Sequence, residues 1–199
     1  MSPRPRVDRA RKRAELAGVA ARVFGERGVT GTAVSDIVRA AGVAQGTFYL
    51  YFDSKDDVLL AVAEQFVAGI GTAVESAVRG SSTPAPDRLR SLVHALGDLA
   101  ANDANSSMAE LLHRPENRAL HDRLTEPLAE RLFLLVRDIV AQGVTEGSMA
   151  VTDAGAAAWF VLGGLQSVER SGTPMAEVPA ALDEALALSL RALNVKGTP

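Results

Sequence analysis

The chain has 199 residues, of which 47% are hydrophobic, 23% charged and none cysteine. That length holds one or two domains with a core needing no covalent staple, and the cysteine count excludes a disulfide scaffold, a thiolate zinc site, an iron–sulfur cluster and a cysteine nucleophile. The formal net charge of −3 conceals an asymmetry, because residues 1–55 carry ten Lys and Arg against five Asp and Glu while residues 56–199 carry eleven against nineteen. A basic first quarter on an acidic body fits a polyanion partner for that quarter alone, and equally a solvated charged tail.

Abundant alanine and only 5% aromatic residues favour helices over an all-β fold. Residues 1–8, with Pro3 and Pro5 among arginines, read as a flexible arm. Six basic residues fall between Met1 and Arg13 with no apolar stretch behind them, so no secretory signal is read there. No window offers about 18 uninterrupted apolar residues, so no membrane partner is expected and the protein is read as cytoplasmic.

A helix is expected from near Asp8, with Leu16, Val19, Ala20 and Val23 at i, i+3, i+4 and i+7 and Gly28 at its end. Thr32 is placed to cap a short second helix with the apolar face Val34, Ile37, Val38 and Ala41, which Gly42 breaks. Gly46 to Phe52 forms a third helical stretch. Two short helices joined by a tight turn at Ala41–Ala44 have the layout of a helix-turn-helix. Ser54 reads as the N-cap of a long helix from Lys55 to about Arg79, with Asp56 and Asp57 at the positive end of its dipole.

Gly80 to Pro86 is a turn-rich connection. Helices then follow at about 87–103, 105–113, 117–146, 152–170 and 176–194, with breaks at Arg114-Pro115, Gly147-Ser148 and Ser171–Pro174. Pro127 either kinks the third of these or opens a new helix. No strand and no internal repeat is evident, so the fold class is all-α, with about nine helices in two parts.

The segment Ala20-Ala-Arg-Val-Phe-Gly-Glu-Arg-Gly28, then Val34-Ser-Asp-Ile37, Ala41-Gly-Val43 and Gly46-Thr-Phe-Tyr-Leu-Tyr-Phe-Asp-Ser-Lys55 resembles the DNA-binding domain of the tetracycline-repressor (TetR) family. The match runs without gaps from about Arg9 to Leu60. It implies a three-helix DNA-binding domain over 1–55, with a basic arm at 1–8 and the helix-turn-helix at about 33–52. A ligand-binding and dimerisation domain over 56–199 is implied to follow.

The residues themselves agree. Phe48 and Phe52 are four apart and share one face, which is expected inside. Gln45, Thr47, Tyr49 and Tyr51 are then free to face outward. Gln45 has the geometry for a bidentate pair with adenine, Thr47 for a thymine methyl or a phosphate, and Gly46 lets the backbone approach closely. The resemblance implies phosphate contacts for Tyr49, Tyr51 and Lys55, and a DNA-facing place for Thr32, Ala33 and Ala44. Ala33 and Ala44 stand where the family often has a hydroxyl side chain, and Gln45 where lysine is common. Arg4, Arg6, Arg9, Arg11, Lys12 and Arg13 are available to grip DNA instead, each neutralised phosphate adding roughly 0.9 to the salt slope. The competing readings are half-buried tyrosines, a solvated Lys55 and a simple solubility tail.

For the second part the resemblance implies a ligand pocket and a two-fold dimer built on the last two helices. Ala154, Ala156, Ala157, Ala158, Gly163 and Gly164 permit close helix approach, and Leu182, Leu186 and Leu190 form a stripe that serves a dimer or a monomer core. Candidate pocket residues are Phe66, Leu92, Leu96, Met108, Leu111, Leu112, Phe133, Trp159 and Phe160, most of which also suit plain core. His94, His113 and His121 lack the spacing of a metal site, so neither a metal nor a cofactor is expected. Glu110 and His113, three apart, suit a polar ligand contact or a surface pair. There is no nucleophile elbow and no phosphate loop, so an enzyme is the remote alternative. The leading expectation is a homodimeric transcriptional repressor released from double-stranded DNA, at a near-palindromic operator, by a small and mostly hydrophobic effector. An architectural or cell-division DNA-binding protein on the same fold is the alternative.

Overall fold

Apolar residues at helical spacing, punctuated by glycine and proline, produce nine α-helices and no strand among the described residues. The computed structural model describes residues 5–79, 82–114 and 117–195. Arg4, Gly80, Ser81 and Pro115 of the sequence reading, and the side chain of Arg6, lie outside what is described. The helices are α1 Pro5–Arg27, α2 Val34–Ala41, α3 Gln45–Tyr49, α4 Lys55–Ala77, α5 Ala85–Ala101, α6 Asp103–His113, α7 Arg118–Thr145, α8 Ala154–Arg170 and α9 Val178–Ala192, the last preceded by a 3-10 turn at Met175–Glu177. Two features of these helices bear on the expectations most. Helix α1 starts at Pro5 rather than near Asp8, since proline at a first helical position forfeits no hydrogen bond. Helix α7 runs unbroken through Pro127.

The chain divides into two compact units, Met1–Phe66 with Ser107–Arg118, and Val67–Ser106 with Ala119–Pro199. The boundary falls inside α4, so the first unit reaches past residue 55. Leu16, Ala17, Ala20, Val23 and Phe24 of α1 are buried in the first unit with Ile37, Val38, Phe48, Phe52, Val58, Ala61 and Val62. Val19 is only half-buried, because Ala17 and Phe24 bring the inward face of α1 round to one side of it.

The second unit has its own core: Leu89, Leu92 and Val93 of α5, Val136, Ile139 and Val140 of α7, and Val161, Leu162 and Leu165 of α8. Leu182, Leu186 and Leu190 of α9 pack into the same cluster. Of the two uses open to that stripe, the structure shows the protomer core. The backbone closes this unit where Ala150 N–H donates to the Leu193 carbonyl at 3.0 Å.

Helix α4 is long and apolar enough by length and composition to cross a bilayer, with mean hydropathy 1.5 over an 18-residue window. Val58, Ala61, Val62, Ala63, Val67 and Val74 along it are buried within the protein. The apolar content therefore supplies core contacts.

Helix α5 lacks a cap of its own, because Pro84 at its N-cap offers no side-chain acceptor. Glu146 substitutes: its Oε1 accepts the Ala85 N–H at 2.7 Å and the Ser148 hydroxyl at 2.8 Å, and its Oε2 accepts from Gln142 Nε2 at 3.1 Å. Gln142 also donates to the Thr83 carbonyl at 3.0 Å and accepts from the Arg88 guanidinium. Arg88 in turn donates to the Val78 carbonyl at 3.1 Å. The Ala85 N–H above all, then Ser148 and Gln142, hold the Glu146 carboxyl below its ordinary value of 4.5. A depressed folded-state pKa stabilises the fold fully above the unfolded value, and that contribution disappears as pH falls through the folded one. Glu146→Gln is therefore expected to lower the melting temperature at pH 7 and to converge with the parent as the pH drops below 4.5. Thermal melts by circular dichroism across pH 3 to 7 check this; a constant gap would contradict it.

Candidate nucleic-acid interface

The turn between α1 and α2 is built from carbonyls and their donors. Gly28 adopts φ 71°, and its N–H bonds the Phe24 carbonyl at 2.8 Å, closing α1. Thr32 was expected to cap α2 and to face DNA. It does neither, being 2% exposed with its hydroxyl donated to the Gly28 carbonyl at 2.7 Å. Ala33 takes the N-cap position in extended backbone, φ −100° and ψ 158°, without a side-chain acceptor. Asp36 reaches back instead, its Oδ2 accepting the Ala33 N–H at 3.0 Å while its Oδ1 meets Arg27 at 3.0 Å and Arg39 at 3.5 Å. That backbone bond, with the two arginines, holds the Asp36 carboxyl below its usual range against some desolvation.

Helix α2 ends at Gly42, whose φ of 65° lets its own N–H reach the Arg39 carbonyl at 3.2 Å and the next, from Val43, reach Val38 at 3.1 Å. A left-handed glycine here turns the chain sharply into α3. Helix α3 is shorter than expected, Gln45–Tyr49, and its end continues as a turn in which the Tyr51 and Phe52 amides both bond the Phe48 carbonyl, at 2.9 and 3.0 Å.

This geometry sorts the segment into two faces. Phe48 and Phe52 are 0% and 1% exposed, with ring centroids 5.5 Å apart. On the other side Ala33, Ala44, Gln45, Gly46 and Tyr49 are exposed, and Thr47 and Tyr51 are half-buried. Tyr49 lies edge-on to Phe48, centroids 5.4 Å apart at 89°. Leu50, part of the motif but not among the candidate site residues, is 64% exposed beside them, and its carbonyl accepts from Arg9 Nη2 at 3.0 Å. No periodicity signal singles it out, because it sits after the last helical residue.

Two further cations depart from expectation. Lys55 was read as a phosphate contact, but its Nζ donates to the carbonyls of Val29 (3.0 Å) and Thr32 (3.1 Å), so the ammonium braces the α1–α2 turn. Arg13 was read as part of the grip on DNA. Its Nη2 pairs with Asp57 at 3.0 Å and its guanidinium lies 4.6 Å from the Phe52 ring centroid. Lys12 and Arg11 pair more loosely with Glu15, at 3.1 and 3.8 Å. Ser54 does cap α4: its hydroxyl accepts the Asp57 N–H at 3.1 Å, and the Asp57 carboxylate accepts the N–H of Asp53, one residue before the cap, at 3.0 Å.

The ligand candidates fall in both units. Phe66, Met108, Leu111 and Leu112 belong to the first, with Met108 and Leu112 buried and the others half-buried. In the second, Leu92 is core and Leu96 and Phe133 pack against that core. Trp159 and Phe160 depart from the reading as pocket residues, being 61% and 58% exposed; Trp159 stacks on Phe133 with centroids 4.4 Å apart. The alanine-rich α8 has too few large inward positions to draw both aromatics inside. On α6, next to Glu110, His113 has its Nδ1 2.6 Å from the Ala109 carbonyl.

The two faces generate opposite expectations. Phe48→Ala removes a fully buried ring and should destabilise the first unit by about 3–5 kcal/mol. Tyr49→Ala should leave urea melts nearly unchanged and weaken DNA binding. Equal, small effects on stability from both would contradict the assignment of faces.

Comparison with known proteins supports the same segment. Residues 17–62 match the family model for bacterial regulatory proteins of the tetR family. The chain is 29% identical over 136 residues to the fatty acid metabolism regulator protein of Bacillus subtilis strain 168, covering 68% of this chain and 69% of that protein. A crystal structure described as a tetR-family transcriptional regulator from Mesorhizobium loti MAFF303099 superposes with a TM-score of 0.71 at 19% identity, covering 92% of this chain and 97% of that one. The transcriptional regulator FadR from Bacillus subtilis, in complex with stearoyl-CoA, superposes with a TM-score of 0.61 at 21% identity, covering 88% and 96%. Residues 17–62 thus carry a helix-turn-helix segment of the tetR-family type, the chain as a whole shares the all-helical fold of these structures, and the relatives it matches are named regulators.

Proposed function

We propose that the protein is a homodimeric repressor that occupies a near-palindromic operator through α2 and α3 and leaves it when a small ligand with a long apolar part binds. The observation that carries the reading is the exposed row Ala44, Gln45, Gly46 and Tyr49 above two fully buried phenylalanines. Small and polar groups on a rigid short helix fit the major groove, where Gln45 can pair with adenine and the glycine admits close backbone approach. Ala33 and Ala44 leave phosphate contacts to others, and Arg9, held beside α3 by the Leu50 carbonyl, is well placed to make one.

Dimerisation is supported by the surface of the second unit. Trp159, Phe160 and Leu188 are large, apolar and exposed, and Gly163 and Gly164 leave open space on the same helix as the two aromatics. Scattered apolar residues need no partner, but aromatics beside small residues at helical spacing suit a helix–helix contact between copies. A two-fold dimer then requires an operator with matching symmetry. The effector class is proposed from the relatives, one named for fatty acid metabolism and one solved with stearoyl-CoA. A fatty acyl thioester combines apolar length with a polar head. Release would follow from a population shift, the ligand preferring the state whose two heads do not fit the operator. Repression follows most simply from occupancy, which excludes polymerase without any further contact.

The test begins with duplexes selected from random DNA by the purified protein. Enrichment of a near-palindrome, bound by one dimer, is expected, and stearoyl-CoA should lower the affinity for it. A monomer on an asymmetric site would contradict the dimer reading. Unchanged affinity in saturating stearoyl-CoA would contradict the effector class alone. Separately, Trp159→Glu should give a folded monomer by sedimentation, with operator affinity sharply reduced; a stable Trp159→Glu dimer would place the interface elsewhere.

A further inference from the structure

Arg13 lies on the inward side of α1, away from the arm, and touches two elements. Its guanidinium pairs with Asp57 in the first turn of α4 at 3.0 Å and lies 4.6 Å from the Phe52 centroid. Phe52 packs on Phe48 at 5.5 Å, and Phe48 meets the edge of Tyr49 at 5.4 Å. Asp57 is itself fixed, since its other oxygen accepts the Asp53 N–H and its own N–H bonds Ser54. A continuous series of contacts therefore runs from the capped start of α4 through Arg13, Phe52 and Phe48 to the exposed ring of Tyr49.

We infer that Arg13 is a positioning residue for DNA recognition, setting the angle of α3 and Tyr49 against the start of α4 and making no phosphate contact itself. Two of its features count against the simpler reading of a cation held out for DNA. The guanidinium lies over the Phe52 ring and pairs through Nη2 with Asp57, and its side chain is 38% exposed, against 71% for Arg11 two residues earlier. Lysine would keep the ion pair but lose the planar guanidinium over the ring. The inference rests on the reading of α3 as the element that meets DNA.

The experiment measures affinity for the selected duplex and for an unrelated duplex, each across a salt series, in the full-length parent and in Arg13→Ala, Arg13→Lys and Tyr49→Ala. Arg13→Ala is expected to lose about tenfold for the selected duplex, the combined scale of a cation–π contact and a partly exposed ion pair. Its salt slope and its affinity for unrelated DNA should stay at the parent values, so the specificity ratio falls. Arg13→Lys should recover part of the loss, because the pair with Asp57 survives. A salt slope reduced by about 0.9, with both duplexes weakened alike, would overturn the inference and make Arg13 a phosphate contact. Parent-like behaviour of Arg13→Ala on both duplexes would overturn it as well. If Arg13→Ala does not fold, Arg13→Lys carries the same readings: a loss of specificity ratio at unchanged slope supports positioning, and a parent-like ratio or a changed slope overturns it. Tyr49→Ala separates the two levels. If it binds the selected duplex as the parent does, the reading of α3 fails, whatever Arg13 shows.

Discussion

Burial of Phe48 and Phe52 is the constraint on which the DNA-binding unit depends. A helix of five residues has no stability of its own, since its few hydrogen bonds do not offset the cost of ordering it. What holds α3 is the pair of rings on its inner side, fully buried and in contact with each other. Once they are seated, the helical period leaves Gln45, Gly46 and Tyr49 on the outside. The proposed recognition surface is thus a consequence of core packing. The turn at Gly42 supplies the other half, because only a left-handed residue lets α2 end and α3 begin within so few residues.

Around that core the helix ends are satisfied by groups borrowed from elsewhere. Ala33 and Pro84 occupy N-cap positions with no acceptor of their own, and the carboxylates of Asp36 and Glu146 take the amides they leave. Lys55 does the converse for carbonyls, collecting those of Val29 and Thr32. An unmade hydrogen bond at a helix end costs more than a made one contributes, so such residues are under structural constraint even where they sit near a functional surface. This is why Lys55 turns inward although the family resemblance implies a phosphate contact for it; Arg13 turns inward for a different reason, its pair with Asp57 and its place over Phe52.

Much of this architecture was legible in the sequence, for stated physical reasons. Helical period and glycine placement gave α2, its break at Gly42 and the inward face of Phe48 and Phe52. The Ser54–Asp57 cap was legible because its partners are local. What could not be read depends on groups brought together from a distance. The destination of Thr32's hydroxyl is a carbonyl at the end of another helix, and Lys55's partners lie in the α1–α2 turn. His121, which histidine spacing left isolated, has its Nε2 2.9 Å from Glu169 at the far end of α8. Helix α8 is apolar on most of its circumference, so period alone did not decide whether Trp159 and Phe160 faced in or out. The leucine stripe of α9 was equally silent between a core and an interface, and it packs in the core.

The central claim is that the α2–α3 edge is the surface that meets DNA. Amide hydrogen exchange on the full-length protein, free and bound to its selected duplex, tests it directly. The account predicts new protection at Ala33, from Ala44 to Thr47 and at Tyr49 and Leu50, with Phe48 and Phe52 already protected in the free protein. Protection on another face of the first unit, with the Ala44–Leu50 amides exchanging as before, would contradict it.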